Sequence, residues 1–200
     1  MTAFLAGFGL SFSLIVAIGA QNAFVLKQGL MRQHVFLVCF ICALSDALLI
    51  SAGVWGFAAI IQSWPWFAVA AKYGGAAFLL VYGAKSFYSA YTSSHHLNAE
   101  GQDSQSAWQA VTMCLAFTWL NPHVYLDTIV LLGAVASPWA ELKHWFAAGA
   151  VSASFIFFFG LGYAARLAAP LFAKPQAWKI LEATVGVVMW LIAASLLLTA

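Results

Sequence analysis

Apolar stretches long enough to cross a lipid bilayer follow one another along most of this 200-residue chain. Charged residues make up 7% of the chain, whereas soluble domains carry about 25%. Because so few charges cannot cover a protein surface with solvated side chains, the sequence predicts an all-α integral membrane protein. The net charge of +2, without a basic run, gives no indication of nucleic-acid binding.

Six candidate transmembrane helices of about 20 apolar residues are separated by charges, prolines and polar clusters. They are Ala3–Leu26, Val35–Ile61, Trp66–Tyr91, Trp108–Val135, Trp145–Ala169 and Ala177–Leu198. A polar loop at 92–107 divides a single domain, 1–200, into halves at about 1–91 and 108–200. Three spans on each side predict two inverted three-helix repeats, as in many transporters.

The positive charges are unevenly divided between the two sides of such a six-span chain. One side receives Lys27, Arg32, Lys85, Arg166, Lys174 and Lys179, and the other receives Lys72 and Lys143. The positive-inside rule therefore predicts a cytoplasmic central loop and both termini outside. If span 1 does not cross fully, five spans remain and the N-terminus lies inside. The C-terminus lies outside in either case.

Two aspartates, Asp46 and Asp127, interrupt the apolar spans. A carboxylate at the centre of a bilayer costs about 2.5–3.5 kcal/mol on insertion scales, so it usually faces a polar cavity and has a function there. Asp46 follows Val35 by eleven residues, about 17 Å along a helix, which is near the middle of the bilayer. The structural alternative is an ion pair between Asp46 and Lys85 of span 3.

Spans 1 and 4 each contain a predicted helix break. Span 4 would be about 42 Å long if it were straight, and Asn121-Pro122 supplies a cap and a first helical residue for a new half-helix. Gly19 and the following amides, Gln21 and Asn22, occupy the equivalent place in span 1, with Asn22 as the candidate cap. Breaks at matching places in two halves predict a central binding site.

The charges at this predicted site indicate its ligand. The carboxylates of Asp46 and Asp127 favour a cation, whereas two half-helix N-termini favour an anion. A basic amino acid carries both groups, and a guanidinium binds a carboxylate through two parallel hydrogen bonds. The sequence therefore predicts a site for lysine or arginine. His123, four residues before Asp127, lies on the same helix face.

Two other function classes compete with this one. A divalent metal-ion transporter could use Asp46, His123 and Asp127, although the set is sparse for a metal site. An intramembrane aspartyl protease could use the two aspartates, but the sequence has no Gly-x-Gly-Asp motif. Cys39 and Cys42 form a C-x-x-C pair that we interpret as helix packing. We expect no enzyme activity, bound cofactor or resident metal.

Three segments carry a resemblance to a known family. Ile18–Gly29, Ser45-Asp46 and Thr118–Thr128 are similar to the LysE-type basic amino acid exporters, and the resemblance covers essentially the whole chain. It implies an inner-membrane exporter of L-arginine, with L-lysine as a second candidate, driven by the proton motive force. The family usually has proline where this chain has Ala20, so we expect a softer first break.

The resulting mechanistic hypothesis is alternating access around the midplane of the membrane. Asp46 and Asp127 bind the cationic side chain or carry the exchanged proton, and the half-helix ends at Asn22 and Asn121 bind the α-carboxylate. The remaining candidate residues are Gln21, His123 and Tyr125, with Gly19 and Pro122 as the helix breaks. The expected partners are a basic amino acid, protons and lipid. Arginine or lysine preference, proton stoichiometry and oligomeric state, a homodimer included, are left open.

Overall fold

The computed structural model describes residues 1–16, 19–56, 65–92, 106–173 and 175–198, and within these ranges the secondary structure is helical. The helices are α1 (Thr2–Ile15), α2 (Ala20–Met31), α3 (Val35–Val54), α4 (Pro65–Thr92), α5 (Ala107–Trp119), α6 (Pro122–Tyr125), α7 (Leu132–Ala136), α8 (Lys143–Ala168) and α9 (Pro175–Leu198). A π-helical turn, Leu126–Leu131, joins α6 to α7, and 3-10 turns at Ser137–Leu142 and Ala169–Ala173 flank α8. The end of predicted span 2 and most of the central loop lie outside the described residues.

Local sequence explains several of the helix ends. Proline is the first residue of α4, α6 and α9, where its missing N–H would have no helical partner. Helix α5 begins with a capping box, in which Ser106 accepts from the Gln109 N–H and the Gln109 side chain accepts from the Ser106 N–H. Helix α2 ends at Met31, and the left-handed backbone of the C-cap residue, Arg32, lets its N–H reach back to the last turn.

Several helices match a membrane environment in length and apolarity. Three described segments could each cross a bilayer by these criteria, namely Val35–Val54, Pro175–Leu198 and the long run Pro122–Ala168. A fourth is added if α1 and α2, inclined by 81°, form one bent span. The predicted all-helical membrane class is therefore confirmed. The six-span inverted repeat remains a prediction.

Helix α8 lies at the centre of the bundle, in contact with α1, α2 and α3. A Cβ atom placed on Gly149 of α8 would overlap the backbone of Phe4, and one on Gly7 of α1 would overlap the backbone of Phe146. These two helices therefore pack backbone against backbone, which only small residues allow. The pairs Phe36–Phe159 and Phe40–Phe155 show that α3 runs antiparallel to α8.

Helices α4 and α9 form a second antiparallel pair. Trp190 of α9 donates its Nε1–H to the Leu80 carbonyl at 3.2 Å, and its ring packs edge-on against Phe87. Helix α5 lies against α3, where the Cys114 thiol faces the Val38 carbonyl. These packings leave the interrupted segments, α1–α2 and α5–α6, facing each other across the interior.

Candidate functional site

The first interruption lies between α1 and α2. Helix α1 ends at Ile15 and α2 begins at Ala20, with Gly19 as the extended N-cap residue (φ −115°, ψ 173°). Asn22 does not occupy the cap position predicted for it. Instead, its side-chain amide donates to the Ile15 carbonyl at 2.7 Å, which satisfies an acceptor at the end of α1. The N-cap residue of α2 is Gly19, which has no side chain with which to cap the helix.

The second interruption lies between α5 and α6 and is capped. Asn121 has an extended backbone, its side-chain oxygen accepts the His123 N–H at 3.1 Å, and Pro122 is the first helical residue. The Val124 N–H donates to the Asn121 carbonyl at 3.1 Å. Because Pro122 has no N–H and the next two N–H groups are used, this helix start has few free donors. Its dipole still favours negative charge nearby.

Tyr125 stabilises the second interruption from inside the protein. Its hydroxyl donates to the Trp119 carbonyl at 2.7 Å, an acceptor that the end of α5 leaves without a helical partner. The Trp119 indole N–H in turn faces the Ser45 hydroxyl of α3 at 3.3 Å. Tyr125 and Pro122 are not among the residues that line the adjoining cavity. The structure therefore gives Tyr125 a supporting position rather than a lining one.

A cavity of about 320 Å³ lies between the two interruptions. It brings together seven of the residues singled out from the sequence, namely Gly19, Gln21, Asn22, Asp46, Asn121, His123 and Asp127. Its other polar lining comes from Ser11 and Thr128, and apolar residues such as Ile50, Leu132 and Phe158 complete it. The lining contains two carboxylates and, within the described part of the chain, no lysine or arginine.

Asp46 lies deep in this cavity and is 5% exposed. Its Oδ2 atom accepts a hydrogen bond from the fully buried Ser154 hydroxyl of α8 at 2.8 Å. The proposed alternative partner, Lys85, lines a different cavity, so the pairing considered from the sequence is wrong. Asp46 thus has a neutral hydrogen-bonding partner, and the described lining of the cavity supplies no lysine or arginine to offset its charge when it is ionised.

Asp127 lies in the π-helical turn that follows α6 and is less buried than Asp46. His123, one turn earlier, is exposed and lines the same cavity. A π-helical turn has i→i+5 hydrogen bonds and so contains about one more residue than an α-helical turn, which rotates the side chains that follow it relative to a regular α-helix. Such turns are frequent at functional sites. The structure therefore places the Asp127 carboxylate at the wall of the cavity, where a ligand that enters the cavity can reach it.

Two donors at the cavity have no hydrogen-bond acceptor among the described residues, the Ser11 hydroxyl and the Gln21 Nε2 atom. The Gln21 amide lies beside the Cys42 thiol. Buried donors without acceptors are uncommon in proteins, and they often mark a place that water or a ligand completes. Gln21 is the second residue of α2, and Ser11 lies in α1. The cavity lining therefore combines two aspartates with hydroxyl and amide donors.

Comparison with known proteins decides the family. The profile of the LysE type translocator family matches residues 12–200. The chain belongs to this family. It is 46% identical over 191 residues to proteins named arginine exporter protein ArgO from Salmonella enteritidis PT4 and Salmonella typhimurium, and the matched region covers 95% of this chain and 90% of each relative. No solved structure matches the chain.

As a LysE-type translocator, the chain is a membrane transport protein, and the resemblance inferred from its motifs is confirmed. The competing metal-ion reading receives no geometric support. Within the described ranges, no group of three or more His, Cys, Asp and Glu side chains could hold a metal ion. Cys39 and Cys42 are buried free thiols, and Cys39 faces the Phe158 carbonyl at 3.1 Å.

Several residues of this LysE-type translocator site were not anticipated from the sequence. Ser154 and Ser11 are hydroxyl residues in apolar helices that also contain Ser152 and Ser13, and small polar residues are common there. The sequence alone shows that both are polar residues within predicted spans. The contact between Ser154 and Asp46 could not be predicted from the sequence, because the two residues are 108 positions apart in the chain.

Proposed function

We propose that this chain exports L-arginine, with L-lysine as a second substrate, across the bacterial inner membrane in exchange for protons. The observation that carries the proposal is the cavity, which has two carboxylates, no lining lysine or arginine in the described residues, and an uncapped helix start. The relatives named arginine exporter, at 46% identity, support the choice of substrate.

The guanidinium of arginine binds Asp46 and Asp127 in this proposal. A planar guanidinium has five N–H donors, so it can satisfy carboxylate oxygens from both residues at once. Ser154 occupies one oxygen of Asp46 and orients the carboxylate toward the cavity. Lysine places an ammonium in the same position, with three donors and no planar match.

The α-carboxylate of the substrate binds at the start of α2. Its N-cap residue, Gly19, has no side chain, and Ser11 and Gln21, whose donors have no acceptor among the described residues, line the same cavity. The start of α6 is the weaker anion site because Asn121 and Pro122 leave it few free N–H groups. Asn22, which faces back to Ile15, holds the two parts of the first interruption together.

Exchange with protons follows from the shared cavity. Two carboxylates that line one cavity repel each other when both are ionised, so in this proposal one of them carries a proton when no substrate is bound. Binding of the cationic side chain replaces that proton, and alternating access then moves substrate outward and proton inward. Two inverted repeats of three spans, with residues 92–107 in the cytoplasm and the C-terminus outside, provide the framework for this movement.

The proposal is tested by efflux of radiolabelled arginine from preloaded cells that express the chain. We expect efflux that a protonophore abolishes, that unlabelled lysine competes for, and that Asp46→Asn reduces at least about tenfold by removing the charge. Glu141→Gln is the matched control because Glu141 is an exposed carboxylate outside the cavity. Absence of efflux from well-expressed wild type would refute arginine export, whereas efflux retained by Asp46→Asn would refute the role of this aspartate.

A further inference from the structure

A second cavity, of about 340 Å³, lies between α2, α4, α5 and α9. Its polar lining includes Lys27, Gln28, Tyr82, Lys85 and Glu182, none of which lines the central cavity. Its volume lies within the range of about 300–1,000 Å³ that is common for small-molecule sites. The cavity lies where the C-terminal half of α2 and the end of α4 meet the start of α5.

Glu182 is the deepest charge in this cavity. Its side chain is 4% exposed, and its Oε1 atom forms an ion pair with the Lys27 ammonium at 2.6 Å. The other oxygen, Oε2, is buried and has no hydrogen-bond partner among the described residues. A buried carboxylate with an unpartnered oxygen is costly, because it loses its hydration without full replacement. The site therefore lacks a second donor.

A guanidinium matches this carboxylate better than the lysine that now occupies it. It presents two parallel N–H groups to both oxygens, whereas an ammonium acts as a point charge at one of them. Lys27 is 18% exposed along its side chain and can turn toward water on its flexible stem. Lys85 lines the same cavity and is exposed, so its ammonium can meet the α-carboxylate of an amino acid.

The second cavity is adjacent to the central one along α2. Phe24 lines the second cavity, and Gln21, one turn earlier, lines the central cavity. The Phe24 ring packs on Phe117 with centroids 5.3 Å apart, and both rings are buried. Phe117 in turn lies one turn before Asn121 of the second interruption. Each of the two aromatic residues thus lies one turn along the chain from a residue that lines the central cavity.

We propose that Glu182 forms a second cation-binding site, where the guanidinium of arginine displaces the Lys27 ammonium before it passes the Phe24–Phe117 pair to the central cavity. Lys85 binds the α-carboxylate of the same molecule. This inference rests on the proposed arginine export. In this inference Lys27 is an internal competitor. Its ammonium occupies Glu182 and excludes other cations until a guanidinium, which matches the carboxylate better, displaces it.

The test compares the KM of radiolabelled arginine uptake into inside-out membrane vesicles for wild type, Glu182→Gln and Lys27→Gln. Glu182→Gln removes the cation site, so we expect KM to rise about tenfold while the maximal rate is retained. Lys27→Gln removes the competing charge and keeps a donor for Glu182, so KM falls. Glu141→Gln, the same change at an exposed carboxylate, leaves KM unchanged.

A purely structural ion pair predicts a different pattern. Either substitution would then break the same pair, so both variants would lose folded protein and their KM values would shift alike or not at all. An unchanged KM in Glu182→Gln with normal wild-type uptake overturns this inference alone, whatever the yield of Lys27→Gln. Absence of uptake by wild type overturns the proposed function and this inference with it.

Discussion

At the scale of single residues, the contact between Asp46 and Ser154 is central to the candidate site. The aspartate is buried among apolar helices, and the serine hydroxyl is its hydrogen-bonding partner from α8. A buried carboxylate that has a neutral donor but no cation is electrostatically incomplete, because hydrogen bonding alone does not offset its charge. Such an incomplete group is suited to bind a cation and to release it again.

Replacing the serine tests this contact. We expect Ser154→Ala to lower the maximal rate of arginine efflux up to about tenfold, because the carboxylate loses the donor that orients it. Ser152→Ala is the matched control on the same helix, since the Ser152 hydroxyl donates to the Ala148 carbonyl of its own helix. Equal efflux rates in the two variants would show that Asp46 needs no orienting donor.

At the scale of helices, the interruptions position the chemistry. The second one depends on a local signal, Asn121 followed by Pro122, which ends one helix and begins the next. The first depends on Gly19 and is held by a side chain from within α2, the amide of Asn22. The two helix starts consequently differ, since the Asn121 side chain caps one, whereas Gly19 has no side chain with which to cap the other.

Loss of the cap at the second interruption should destabilise the protein. Asn121→Ala is expected to lower the free energy of unfolding by about 0.5–2 kcal/mol, because the His123 N–H loses its acceptor. Asn121→Ser keeps a side-chain acceptor and should retain most of the stability. Thermal unfolding of the purified protein in detergent measures both. Similar melting temperatures for the two variants would contradict a capping role.

Close packing between α1 and α8 gives a second prediction at this scale. A Cβ atom on Gly149 would overlap the Phe4 carbonyl oxygen, whereas one on Gly160 of the same helix meets nothing within 4 Å. We therefore expect Gly149→Ala to destabilise the protein by about 1–3 kcal/mol through overpacking, and Gly160→Ala to have little effect. Thermal unfolding in detergent compares the two. A Gly149→Ala variant as stable as Gly160→Ala would show that α1 moves aside freely.

At the scale of the whole molecule, the central and second cavities place polar side chains inside an otherwise apolar bundle of described helices. The central one lies between the interruptions, and the second lies between α2, α4, α5 and α9. Polar side chains of a chain in lipid must meet partners inside the protein or in water-filled space. Asp46, Asp127 and Glu182 follow this rule, since each lines one of the two cavities.

The distribution of lysine and arginine predicts the orientation of the whole molecule. A phosphatase fused after Ala200 should be active, and a fluorescent protein fused there should be dark, because the C-terminus is predicted to lie outside. The same reporters inserted within residues 93–105 should give the opposite result. Fluorescence of a fusion after Ala200 would show that the topology is the opposite of the one proposed. The second cavity would then be reached from the other side of the membrane.

The sequence by itself determined the class of this protein and the positions of its unusual residues. Helical membrane character follows from composition, because an apolar chain in lipid must satisfy its backbone internally. The motif around Asn121 identified the LysE-type family, and the helix interruptions lie where Gly19 and Pro122 act on the local backbone. These features depend on neighbours in the chain, which a sequence displays directly.

Only the tertiary structure decided which side chains meet. Ser154 reaches Asp46, Asn22 bonds backwards to Ile15 instead of capping α2, and Lys27 pairs with Glu182. Such contacts depend on how helices rotate and cross, and one residue of the α-helix turns a side chain by about 100°. Because small residues such as Gly149 set the distance between helices, the partner of a buried polar group is fixed by packing across the bundle rather than by its own segment.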